Sequence, residues 1–391
     1  APHIIVVFSE LLPDLSALRF TRYNQYESMI LPLCKYIKDA GAKIIFDTTV
    51  TNVVCDCSNG KKLAKSIEYT EKGEEKTIAL SENDLVFITN GCQGDESAYG
   101  DQTHAPEVKI KNGEGPSIEL WKNLAKQDKD FGHPEKFFKD IKETSWESWT
   151  VETSNKQILE AIEKICHRDP LSGKVVTGGI VTCKDSSWLI SWTINRQGQF
   201  KDQKKDDCLI WIYGLNCWND KGNFIEKPLY KCSGIELAAE WLYHIGIPKQ
   251  DIMTLAEKEC NTTPCMMPYV TSFFEPRKYG DRPLVVPKGS VNIAFMGQYA
   301  ETPRDTVFTT EYSIRTAMEA VYTLCNIDRG PEVWGSVYDV RDLIKATVKL
   351  NDGKKLTEMD LSFEERLALK AVLKKVRGTE IEKLLKDCDA I

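Results

Sequence analysis

Ser191, Thr193 and Asn195 stand at every second position, and Trp188, Ile190, Trp192 and Ile194 interleave with them. A period of two sends the two sets to opposite faces of a β-strand, so one face is apolar and the other is a row of hydrogen-bonding groups. If the alternation continues, Gln197 and Gln199 join the polar row. A second pattern has a different chemistry. Residues 290–296 read as a strand that ends in Gly297, a loop follows over 298–308, and a helix begins near Thr309 or Thr310, one of which is its N-cap. Free N–H groups and the positive end of the helix dipole make such a start a site for an anion or a carbonyl. Residues 84–88 form a short apolar run that delivers Thr89-Asn90-Gly91, as a buried parallel strand ending in a tight turn does.

Other elements must hold these groups. Asn24, with Glu27 three residues on, starts a helix of about four turns bearing Tyr26, Met29, Ile30, Leu33 and Ile37 on one face, and Gly41 stops it. Residues 43–47 and 50–54 are β-rich, and 65–70 and 76–80 flank a turn at Lys72-Gly73. From about 121 to 168 the chain reads as polar and helical. Strand-like runs follow at 174–183, 187–194 and 208–215, then a helix at 234–245 that Gly246 and Pro248 end. Residues 264–269 are apolar and broken by proline, which suits either a pocket-lining loop or a buried connection. The helix from Thr310 carries Ile314, Met318, Val321 and Cys325 on one face. Residues 361–377 hold five basic and two acidic groups beside an apolar stripe of Leu369, Val372, Leu373 and Val376. That pattern fits a helix lying on a membrane surface or one packed on its own domain.

Composition sets outer bounds. A chain of 391 residues with 42% hydrophobic residues predicts two to three domains with real cores. The balance of 51 basic against 58 acidic residues, net −7, opposes a dedicated nucleic-acid binder. Thirteen scattered cysteines give no zinc spacing; Cys55-x-Cys57 has no second pair. They read as reduced, mostly buried thiols of a cytoplasmic protein. No apolar run is long enough to span a bilayer. The first residue is Ala1, and the opening lacks signal-peptide features, so the chain reads as a piece incomplete at its N-terminus.

Several strings are more specific. Arg22-Tyr23-Asn24-Gln25-Tyr26-Glu27-Ser28, Ser191-Trp192-Thr193-Ile194-Asn195-Arg196-Gln197, Trp211-Ile212-Tyr213-Gly214-Leu215, Trp241-Leu242-Tyr243-His244 and Arg304-Asp305-Thr306-Val307-Phe308-Thr309-Thr310-Glu311-Tyr312-Ser313-Ile314-Arg315 resemble the fatty acid hydratases. This is the oleate hydratase family, once called myosin-cross-reactive antigens. The resemblance runs in one order from about Leu12 to the end.

What the resemblance implies is an FAD-dependent hydro-lyase that adds water across a cis double bond of a free unsaturated fatty acid, without net redox change. It implies an α/β fold: an FAD-binding, doubly wound domain of the two-part dinucleotide-binding type (1–110 and 286–335), an inserted β-rich substrate domain (111–285) and a C-terminal helical region (336–391). It maps the substrate carboxylate onto Gln25, Thr193, Asn195 and Gln199, where hydroxyl and amide donors hold a carboxylate without a full ion pair. Some members carry His at the last position, so Gln199 keeps a donor and gives up a positive charge. By the same resemblance Val50 lies near the adenine, Thr89, Asn90 and Gly91 near the phosphates, and Gly297, Thr309 and Thr310 near the isoalloxazine. A long-chain unsaturated fatty acid, a homodimer and at most peripheral membrane contact complete the expectation. The family's GxGxxG loop, its RGGRE string with the catalytic Glu, and its catalytic Tyr before Leu12-Pro13-Asp14 are absent here. The alternatives are a silent, truncated fatty-acid-binding or membrane-binding protein and a flavin-dependent oxidoreductase; the length of the matched strings opposes the latter.

Overall fold

The computed structural model describes residues 21–108, 111–177, 179–302, 310–328, 340–359 and 361–391. They belong to two compact units, one within Leu11–Pro331 and the other containing Glu332–Ile391.

In the larger unit the first helix starts as its sequence predicts. Asn24 Oδ1 accepts the Glu27 N–H at 3.0 Å and Asn24 Nδ2 donates to the Glu27 carboxylate at 2.7 Å. A π turn, Tyr26–Ile30, runs into the α-helix Leu31–Asp39, and Gly41 takes φ 90°. Strands β1 (Thr48–Asp56), β2 (Leu63–Glu71) and β3 (Glu74–Ala79) form an antiparallel sheet. Lys72 and Gly73, at φ 51° and 84°, make the β2–β3 turn whose twist matches its strands. Residues 43–47 are not a strand: Asp47 turns the chain at φ 53° before β1 begins.

Next come β4 (Val86–Thr89), β5 (Ala98–Tyr99), β6 (Trp146–Thr153), β7 (Val181–Thr182), β8 (Ser191–Thr193), β9 (Cys208–Gly214), β10 (Asn261–Met267) and β11 (Ile293–Met296). β4 and β11 pair in parallel, Val86 opposite Ile293 and Thr89 opposite Met296. Their buried side chains, Phe295 among them, join Val53, Leu124 and Phe131 in one core, as the apolar run at 84–88 predicts. The other six strands form an antiparallel sheet in the order β5-β10-β6-β9-β8-β7.

Two expectations fail in this sheet. Residues 121–168 are not helical throughout, because β6 is a central strand paired on both sides. Residues 264–269 are not simply a loop, because Pro264 lies within β10 opposite Trp149. Both segments take their structure from pairing with partners far away in sequence, which overrides local composition. The runs at 174–183 and 187–194 shorten to β7 and β8.

One face of the sheet is covered by the helices Lys156–Cys166, Gly234–His244 and Lys249–Lys258. Trp149, Trp188, Trp192, Ile210, Ile212 and Trp241 form the core between them. The helix Thr310–Leu324 buries Tyr312, Arg315, Thr316 and Ala320, whereas Ile314, Val321 and Cys325 face outward. The small Thr316 and Ala320 let the helix sit close to β11, and Thr316 Oγ1 accepts the Gly297 N–H at 2.9 Å. The smaller unit holds the helices Val340–Leu350, Phe363–Lys375 and Glu380–Asp387, with Ser362 and Glu365 as a reciprocal cap. Among the described residues no helix is long and apolar enough to cross a membrane.

Candidate functional site

Residues 21–27 dock against residues 195–201. Asn24 donates its N–H and its Nδ2 to the Gln199 carbonyl at 2.6 and 2.9 Å. Lys201 N–H donates to the Glu27 carboxylate at 3.1 Å, and Arg196 reaches the Arg22 carbonyl at 3.2 Å. Gln25 and Gln199 thus sit on adjoining segments although they are remote in sequence. The sequence pattern did not foresee the charge there. Arg22 lies over the Tyr23 ring at 4.8 Å, Lys201 over the same ring at 5.9 Å, and Arg196 is beside them. Positive charge from these side chains thus stands beside Gln199, with the Glu27 carboxylate among them.

The polar row is shorter than the alternation predicts. β8 ends at Thr193, and Gly198 turns the chain at φ 77°. Gln197 is spent on the fold: its Oε1 accepts from Leu209 N–H and Gln203 Nε2, both at 2.9 Å. Thr193 shares its hydroxyl with Thr177 Oγ1 at 2.9 Å and the Gly179 carbonyl at 3.2 Å, so it binds a ligand only by trading one of these bonds. Gln25 is exposed, and Asn195 and Gln199 are half-buried, with no side-chain hydrogen bond to the described residues.

The carboxyl ends of β4 and β11 collect the second set. Gly297 takes φ 93°, and a Cβ there would stand 3.3 Å from Thr89 Cγ2. Asn90 is fully buried; its Nδ2 donates to the Tyr299 carbonyl at 3.3 Å and its Oδ1 has no partner among the described residues. Gly91 lies flat on Tyr299, where a Cβ would come within 2.6 Å of the ring. Thr310 is the exposed first residue of its helix, and Thr309 lies outside the described residues. Val50 is apart from this group, in a cleft of about 470 Å³ shared with Glu96, Glu114, Glu119 and Asn123.

Local patterns missed other residues. Glu147, on the helix-covered face of β6, is fully buried with neither oxygen partnered among the described residues. Burial pushes its carboxyl well above the ordinary glutamate range. On the opposite face Trp146, Trp211 and Tyr213 stand together. The alternation in 146–153 was the available signal for both.

The fold and these groups define a mixed α/β protein in which an antiparallel sheet with a cationic, amide-rich edge is joined to a parallel strand pair ending in glycine turns. The chain belongs to the MCRA family, whose model matches residues 4–322. It is 48% identical to an oleate hydratase of Streptococcus pyogenes serotype M49 (strain NZ131) over 97% of its own length. It is 32% identical to a linoleate hydratase of Lactiplantibacillus plantarum over 85% of its length. The chain spans 64% and 61% of the lengths of these two relatives.

Proposed function

We propose that this chain is the acid-holding part of a fatty acid hydratase, and that the complete protein adds water across a cis double bond of a free unsaturated fatty acid such as oleate. The observation that carries the reading is the docking of residues 21–27 on 195–201. It brings together the segments that carry Gln25, Asn195 and Gln199, whose amides are unpaired among the described residues, with Arg22, Arg196 and Lys201. Amides fix a carboxylate directionally and the cations favour its charge. The two hydratase relatives agree with that chemistry.

FAD fits the strand-end group on one side. Gly297 brings the backbone close to the end of β4, and the Asn90 Oδ1, unpartnered among the described residues, is an acceptor suited to an N–H of the flavin ring. Asn90 Nδ2 and Gly297 N–H are bound internally and do not offer themselves to phosphates. Asn90, Gly91, Gly297 and Thr310 would line that side, with Thr89 beside them and Val50 toward the adenine. Bound flavin would supply a planar, polar surface without net redox change. Alkene protonation and water activation fall in this reading to the family's Tyr and Glu, whose strings these 391 residues do not contain. The reading extends to a homodimer in the cytoplasm and to peripheral membrane contact through the exposed Phe363 and Leu367, which share a helix face with Lys370 and Lys374.

Oleate added to the purified chain should bind, and Gln25→Ala with Asn195→Ala should weaken binding roughly tenfold or more. Unchanged affinity removes the carboxylate assignment. Mass spectrometry should find no water gained by the acid; hydration by this chain alone would overturn the placement of the catalytic pair.

A further inference from the structure

The face of the six-stranded sheet turned away from its three helices carries a second pattern. Across the register Thr193 stands opposite Trp211, Trp211 opposite Thr150, and Thr150 opposite Thr263. One step along, Ser191 is opposite Tyr213, Tyr213 opposite Ser148, and Ser148 opposite Cys265. Directly opposed side chains are neighbours on one face. Trp211 and Tyr213 have ring centroids 5.0 Å apart, and Tyr213 stacks on Trp146 at 4.9 Å and 11°. Trp211 is 39% exposed, and the other two rings are half-buried. A continuous aromatic band therefore begins beside Thr193 and runs to Trp146, which Met267 faces across the strands.

We propose that this band is the bed of the acyl chain of a free fatty acid, with Trp211 under the carbons nearest the head and Trp146 under the distal ones. The inference rests on the reading of the 195–201 loop as the carboxylate end. Two observations select this occupant. The band is a strip one ring wide, bordered by the hydroxyls of Thr150, Thr193, Ser148 and Ser191, whereas a protein partner needs a broad apolar patch. It is also continuous at one end with the cationic, amide-bearing loop, so polarity changes along it as it does along an amphiphile with one charged head. Stacked aromatic rings offer a large, rigid apolar surface with little entropy to lose on binding.

The test uses the 391-residue chain, with displacement of the fluorescent polyene cis-parinarate by octanoate and by oleate. Trp146→Thr should weaken oleate about tenfold and leave octanoate within about twofold, since only the longer chain reaches that ring. Equal losses for both acids, or none for oleate, overturn the proposal. A dibrominated stearate should quench tryptophan emission of the parent, and the conservative Trp211→Phe, which keeps an aromatic ring in the strand, should abolish much of that quenching. Undiminished quenching in Trp211→Phe overturns it even if the threonine variant does not fold. Failure of the parent to bind either acid sinks the carboxylate reading itself. Asn195→Ala weakening both acids, with both tryptophan variants behaving like the parent, sinks the band alone.

Discussion

Glu147 shows how far a single residue can depart from what its neighbours in sequence suggest. It lies between two serine- and tryptophan-bearing positions of a strand, yet its carboxyl is enclosed with no partner among the described residues. Its folded-state pKa lies above the ordinary glutamate value of 4.5, so its contribution to stability is fully present below that pH and is lost as pH rises above it. Glu147→Met should therefore stabilise the chain near neutral pH by about 1–3 kcal/mol. The gain should shrink toward zero as the pH falls to the glutamate range. Thermal melts of parent and variant across pH read this directly; a constant difference would mean that the carboxyl is ionised on both sides of folding or paired in some other way. Local cues served better where the contact is local. The Asn24–Glu27 cap is legible because both partners lie within one turn. Gln199 is different, because its position depends on Gly198 ending the alternation and on Asn24 meeting it from far away in the chain.

Elements are held together by contacts that no periodicity announces. Glu240 is buried in the Gly234–His244 helix. Its carboxylate accepts the N–H groups of Asn223, Phe224 and Ile225 at 2.6, 2.9 and 2.7 Å, and lies 3.1 Å from His244 Nε2. Burial pushes this carboxyl up, but the hydrogen bonds from His244 and the three backbone N–H groups outweigh it and hold it below the usual range. The latch therefore stabilises above the ordinary glutamate pKa and weakens as pH falls through the lower, folded-state value. Glu240→Ala leaves three N–H groups unpaired and should cost about 3 kcal/mol, seen as a lower denaturant midpoint. A midpoint equal to the parent's would show that the 222–225 loop does not depend on this carboxylate. The helix itself was legible from its apolar spacing and its Gly and Pro stop. Its loop partner was not, because a glutamate in a helix reads as a solvated residue unless the fold closes over it. The six-stranded sheet repeats the lesson: β9 announced itself by a continuous apolar run, whereas β6 and β10 are strands because each lies between two others.

For the whole molecule, composition gave the presence of cores and the family resemblance gave the α/β class, while the order of strands came from pairings that no single segment records. The cysteines illustrate the difference. All thirteen are free, and their number and lack of metal spacing were plain from the sequence; their accessibility was not. Cys92 and Cys325 are exposed, whereas burial pushes the Cys55, Cys208 and Cys260 thiols up to about 12. A disulfide reagent should titrate about two thiols rapidly in the native chain and the remainder only on unfolding; early reaction of the buried set would contradict the packing of both cores. Pro264 has a consequence of another kind. Its carbonyl accepts the Gly100 N–H at 3.0 Å, so its ring nitrogen also faces the β5 side of the strand and leaves the ladder to β6 intact. Next along that margin Gln102 follows, its Oε1 accepting the Thr262 N–H at 2.8 Å. With no donor at Pro264 and the one at Thr262 already spent, this margin is a poor template for another chain, which guards the protein against self-association into ribbons.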